Sequence, residues 1–224
     1  MTRLLLSQIL ATLSICVALT SCAGFRGGWE SVPYVGDVSP PPTAAEPQLS
    51  GQAPDPAELV LPGLKLRITI DNQLRTYDTK IYFGLPLSID PRGVYAKNHE
   101  PGKTRVFVSV TPDAAGFVFR PSAARLEIEG KRYMAGAGYR FGMWDEQGRL
   151  VDKDGKWDHR AIDGEMLLDR PGTRYFLSLR FDVPTPSPES RSTTLDLSDA
   201  LRDPALAPLP LIRFAPVRWK EGYT

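Results

Sequence analysis

Residues 63–224 predict an all-β domain, a two-sheet antiparallel sandwich, on three observations. Apolar side chains recur at every second position in several short windows, Pro and Gly close those windows, and no window offers three helical turns of apolar positions. Eight or nine such strands in 162 residues suit two packed sheets, with a small closed barrel as the alternative architecture. That length supplies one hydrophobic core and is too short for two comfortable domains.

The elements follow in order. Leu64, Leu66, Ile68 and Ile70 alternate with Lys65, Arg67, Thr69 and Asp71, which predicts a half-buried strand ending at the Asp71-Asn72 turn. Thr79, Ile81 and Phe83 alternate until Gly84-Leu85-Pro86, and Val106, Val108 and Val110 share one side before Thr111-Pro112-Asp113 turns. Phe117-Val118-Phe119 stops at Pro121, and the segment of Leu126 and Ile128 turns through Glu129-Gly130-Lys131 into Arg132-Tyr133-Met134. The clearest strand places Tyr175, Leu177, Leu179, Phe181 and Val183 on one face, with Phe176 alone breaking the polarity of the other. Leu195 and Leu197 mark the next, and Leu211 to Trp219 predicts a last strand that locks the fold near its own terminus. One short helix is expected near 199–206, capped by Ser198. Strand number and alternation together resemble the immunoglobulin-like domains of many periplasmic lipoproteins, although the Cys-Trp-Cys pattern of true immunoglobulin domains is missing.

Two segments precede this domain. Residues 1–21 have Arg3 and then an apolar run from Leu4 to Leu19, too short for a membrane span and suited to an export signal. Leu19-Thr20-Ser21-Cys22 resembles the lipobox of bacterial lipoproteins, which implies cleavage before Cys22, a diacylglyceryl thioether on its sulfur and acylation of the new amino group. Several acyl chains hold a protein firmly where one holds it only reversibly. Ala23 follows the cysteine where an Asp would be expected for inner-membrane retention in enterobacterial-type lipoproteins, so the resemblance implies the outer membrane of the bacterial cell envelope. Residues 22–62 have Pro at 33, 40, 41, 42, 47, 54, 56 and 62, with isolated aromatics at Trp29 and Tyr34, and are expected to form a lipidated, extended tether.

Charge and cysteine content remove several classes. Apart from Arg3 the leader carries no charge, so the mature chain has 26 basic and 26 acidic residues and its arginines are scattered singly, which argues against nucleic acid as partner. The expected partners are the membrane, through acylated Cys22, and another envelope protein. Cys16 would leave with the leader and Cys22 would carry lipid, so no disulfide, thiol nucleophile or thiolate metal site is expected.

Chemical motifs are few, and none implies a cofactor. His99 and His159 stand in polar loop contexts without a second ligand at short spacing. Asp152, Asp154 and Asp158 around Gly155 form a weak calcium-loop candidate, but position twelve of such a loop would be Asp163 instead of Glu, and turn chemistry explains the same residues. No GxSxG elbow is present, and Gly136-Ala137-Gly138 suits a bulge or a close backbone approach better than a phosphate loop. Arg132, Arg140, Arg174, Arg180, Arg213 and Arg218 are expected on strands, as a polar sheet face. Tyr139, Phe141, Trp144, Asp145 and Trp157 form the candidate binding loop, aromatic edges around a polar hairpin, although Phe141 and Trp144 would serve equally as core caps. The expected role is a lipid-anchored, non-enzymatic binding or structural module of an envelope assembly. The alternatives are an envelope hydrolase acting on glycan or peptide through dispersed carboxylates and a calcium-dependent adhesin.

Overall fold

A computed structural model describes residues 24–40, 58–82, 85–93 and 100–223; the leader, Cys22, Phe83 and His99 lie outside them. In chain order the strands are β1 (Gly24–Tyr34), β2 (Glu58–Leu61), β3 (Leu64–Ile70), β4 (Leu74–Tyr82), β5 (Leu85–Ile89), β6 (Thr104–Pro112), β7 (Phe117–Phe119) and β8 (Arg125–Ile128). They continue as β9 (Lys131–Met134), β10 (Ala137–Trp144), β11 (Lys156–Ala161), β12 (Met166–Leu168), β13 (Tyr175–Phe181), β14 (Thr193–Asp196), β15 (Leu201–Arg202) and β16 (Ile212–Tyr223).

The antiparallel all-β character is as expected; the two-sheet immunoglobulin-like arrangement is not. The strands form a seven-stranded sheet in the order β5-β4-β1-β16-β14-β8-β9, a six-stranded sheet β11-β10-β13-β6-β3-β2 and a third sheet β12-β7-β15. One core takes apolar side chains from all three: Ile68, Val108 and Leu179 from the six-stranded sheet, Leu126, Leu195 and Phe214 from the seven-stranded one, and Phe119, Leu168 and Leu201 from the small one. The third sheet escapes sequence reading because its strands have two or three residues, too few for a period of two to show.

The strongest alternations fold as expected. Leu64, Leu66, Ile68 and Ile70 on β3, Val106, Val108 and Val110 on β6, and Tyr175, Leu177, Leu179 and Phe181 on β13 are all buried. Ladder registers pair Leu66 with Val110 and Val110 with Tyr175, so neighbouring apolar residues share the inner face. Glu129 and Gly130 both adopt positive φ, 51° and 77°, in the two-residue turn of the β8–β9 hairpin, the conformation a type I′ turn requires.

Two expectations need correction. Gly24–Tyr34 falls in the expected tether, yet it is a strand paired along its whole length with β16 and on its other edge with β4. Its glycines serve close approach: a Cβ on Gly28 would lie 1.8 Å from the Leu74 carbonyl oxygen. Glu58–Leu61, also placed in the tether, is the edge strand β2. The helix expected near 199–206 is instead one turn followed by β15. The Leu201 amide donates to the Leu197 carbonyl at 2.8 Å, after which Leu201 pairs with Phe119, and Pro204 offers no amide to continue a helix. The cap is Asp196, whose Oδ1 accepts from the Ser198 amide at 3.0 Å and from its hydroxyl at 2.6 Å.

Where the chain crosses between the large sheets, a side chain fixes the corner. Asn72, between β3 and β4, is buried, and its Nδ2 donates to Ser31 Oγ at 2.9 Å and to the Pro186 carbonyl at 3.1 Å. Three distant segments are thereby joined through one amide.

Candidate functional site

The outward face of the six-stranded sheet holds the aromatic side chains. Directly paired residues share a face and alternate residues repeat it. Register places Ser109, Phe176, Phe141 and His159 in one row across β6, β13, β10 and β11. The adjacent row is Phe107, Ser178, Tyr139 and Ala161. Trp157, two residues before His159, therefore joins the same face.

The rings are packed against one another. Phe141 stacks on Trp157 with centroids 5.4 Å apart and meets His159 at 4.7 Å. The Arg180 guanidinium lies 6.0 Å over the Tyr139 ring. Trp157 keeps 57% of its surface exposed and Phe176 45%, whereas Ser178, on the same face but below the rings, is buried. Removal from water, and then the nearby positive charge of Arg105, pushes His159 below the ordinary histidine range, with Asp158 opposing the shift. The neutral, flat His159 extends the aromatic surface.

The expected loop residues divide between two faces. Tyr139, Phe141 and Trp157 belong to the aromatic face, and Phe176, His159 and Phe107 join them from strands the sequence does not link. Phe176 carried a signal, being the apolar residue that breaks the polar side of β13. Trp144 points to the opposite side, where its indole N–H donates to the Asp158 carbonyl at 2.9 Å and the Arg160 guanidinium lies 5.9 Å from its ring. Asp145 closes the hairpin loop. It accepts from the Arg149 amide at 2.8 Å and from Arg149 Nε at 2.8 Å, and the amide bond above all holds its carboxyl below the ordinary range.

Asp152, Asp154 and Asp158 lie on the β10–β11 hairpin. Asp154 takes a positive φ of 59°, and the Asp158 carboxylate accepts from the His159 amide at 2.8 Å, both features of a turn. Among the described residues no group of three or more His, Cys, Asp and Glu is placed to hold a metal ion. Gly138 meets the close approach its sequence context suggested, since a Cβ there would lie 2.2 Å from Pro121 Cγ. The strand arginines divide between both large sheets and build no single polar face. Arg132, Arg213 and Arg218 are on the seven-stranded sheet, Arg140 and Arg180 are on the six-stranded one, and Arg174 just precedes β13.

A cleft of about 690 Å³ opens beside β7 and β15, lined by Arg120, Arg125, Arg202, Glu165 and Asp199 together with Val118, Met134 and Pro204. Its carboxylates are held by guanidinium groups: Arg120 Nε donates to Glu165 at 2.7 Å, and Arg125 spans Asp196 at 3.0 Å and Asp199 at 2.6 Å. The lining holds three arginines against two carboxylates, both carboxylates are ion-paired, and it has no counterpart to the stacked rings of the aromatic face. Comparison with protein-family models, with characterised proteins and with solved structures finds no match for this chain.

Proposed function

We propose that the chain is a lipid-anchored protein of the bacterial envelope, acylated on Cys22, acting as a non-enzymatic docking module whose contact surface is the aromatic face of the six-stranded sheet. The observation that carries the docking role is the packing of Phe141 with Trp157 and His159, with Phe176 directly opposite Phe141 on the same sheet face and both Trp157 and Phe176 exposed. Aromatic side chains held rigid by stacking lose little entropy on contact and dominate the binding energy of protein interfaces. The polar concentration beside them, Asp152 to Asp158, supplies the wet rim such interfaces have. The anchor is supported by Leu19-Thr20-Ser21-Cys22 at the end of the apolar leader.

The test is site-specific photocrosslinking in intact cells, with the photoreactive residue at Trp157 and, as control, at Val60 on the far edge of the same sheet. A discrete crosslinked species from position 157 that is absent from position 60, and that is lost in Phe176→Ser, is the expected result. Identical patterns from both positions would overturn the docking surface. Replacement of Trp157 by Ala should change the unfolding free energy by no more than about 1 kcal/mol, because the side chain is mostly exposed.

A further inference from the structure

The outer end of the seven-stranded sheet carries a second exposed apolar surface. β5 is its edge strand, and Leu85, Leu87 and Ile89 are 72%, 54% and 47% exposed; Tyr82, opposite Leu85 on β4, is 41% exposed. The alternation of the strand puts Leu85, Leu87 and Ile89 on one face, with Tyr82 and Lys80 beside them. Proline is tolerated within an edge strand when its nitrogen side faces outward, so Pro86 removes a donor from the free edge and makes it a poor template for another strand. The face of the hairpin, more than its edge, is therefore what remains to be covered.

Its position in the sheet says by what. Gly24, the first residue of β1, pairs with Lys80, and Lys80 pairs with Leu87. Two strand spacings separate Gly24 from Leu87, about 10 Å. The Tyr82–Leu85 pair lies one step further along β4, toward the side from which β1 enters. Cys22 is only two residues before Gly24, and two residues of chain reach about 7 Å at most. A cation stands on the same face, Lys80 directly opposite Leu87; Phe25, which pairs with Thr79, and Lys220, whose ammonium lies 5.1 Å over the Phe25 ring, belong to the other face of the sheet. Asp78, opposite Ile89 on this face, lies 3.6 Å from Arg75, and Lys80 forms no ion pair among the described residues.

We infer that the face of β4 and β5 that carries Tyr82, Leu85, Leu87 and Ile89, with Lys80 among them, is a docking surface for the phospholipid bilayer that holds the acyl chains of Cys22. The domain then lies against the membrane, its apolar side chains in the interface and Lys80 at the anionic headgroups, and does not stand off on a long spacer. This rests on the acylation of Cys22 proposed above, because only that short connection brings the hairpin to the lipid.

The mature chain would hold no free thiol, so Leu87→Cys introduces a single site for an environment-sensitive fluorophore. The full-length protein, matured in cells and reconstituted into phosphatidylethanolamine–phosphatidylglycerol vesicles containing nitroxide-labelled lipid, is compared with the same label at Val60→Cys. Blue-shifted emission and strong nitroxide quenching at 87, with neither at 60, is the expected result. In protein that incorporates labelled palmitate, a Leu87 probe as aqueous as the Val60 probe would overturn the docking surface and leave the anchor standing. Failure of wild-type protein to incorporate palmitate would overturn the anchor, and the docking with it. Efficient thiol crosslinking of Leu87→Cys into a dimer without lipid quenching would assign the face to a second copy. Leu85→Cys repeats the measurement if Leu87→Cys does not accumulate.

Discussion

At the scale of single residues, the cost of a side chain depends on what it meets. Gly28 sits where β1 and β4 shift register, and its backbone is so close to Leu74 that a Cβ would lie 1.8 Å from a carbonyl oxygen. Gly28→Ala must therefore push two strands apart and should cost about 2–3 kcal/mol, read as a lowered urea midpoint; an unchanged midpoint would show that the strands separate freely. Glu30, on the same strand, has the opposite kind of conflict. Burial, only partly offset by the 3.5 Å hydrogen bond from Gln73 Nε2, raises its carboxyl above the ordinary value of 4.5. A raised value in the folded state means that this group favours folding fully below pH 4.5 and loses that contribution as pH rises through the folded value. Glu30→Gln should accordingly melt higher than wild type at pH 7, and the gap should close as the pH falls toward 4.5. A gap independent of pH would assign the effect to something other than ionisation.

At the scale of elements, legibility followed length and exposure. Strands with four apolar positions on one buried face, such as β3 and β13, declare themselves, because one side meets a core and the other meets water. β4 is half-buried along almost its entire length, and β5 is exposed throughout, so neither presents two contrasting faces. Its glycines and Pro33 conceal β1, yet Gly27 and Gly28, which resemble a spacer in composition, are required by the close approach of Tyr77, Trp219 and Leu74. The same limit applies to the aromatic face. Tyr139, Phe141 and Trp157 are close in sequence and were visible as a group, whereas Phe107 and Phe176 join them only through ladder register, which no local pattern contains. Trp144 neighbours them along the chain but lies on the opposite side, because it is an odd number of residues from Phe141.

At the scale of the molecule, the dominant fact is that the two ends of the described chain close one ladder. β1 begins at Gly24 and pairs through eleven residues with β16, from Gly24 with Tyr223 to Tyr34 with Arg213. β16 is also the partner of β14, so it is central in the seven-stranded sheet and everything from β5 to β1 is joined to β14, β8 and β9 through it. Contacts so far apart in sequence must meet the entropy of closing a long loop before they stabilise anything, which places such topologies among the slower folders. β1 must wait for β16 to be made before it can pair. Placing a stop codon after Leu211 removes β16 and leaves β1 and β14 each without that neighbour; buried Ile212, Phe214, Val217 and Trp219 are lost with it. The truncated protein should lack a cooperative unfolding transition and be digested rapidly by protease under conditions where the full chain resists. A stop codon after Lys220 is the informative comparison, since it removes only the Gly24–Tyr223, Phe25–Gly222 and Arg26–Glu221 pairs, the last bearing a 2.8 Å ion pair. That variant should keep its transition at a lower midpoint, because most of the ladder and all of the main core remain. Equal behaviour of the two truncations would mean that β16 is a trailing edge and not the member through which the sheet is closed.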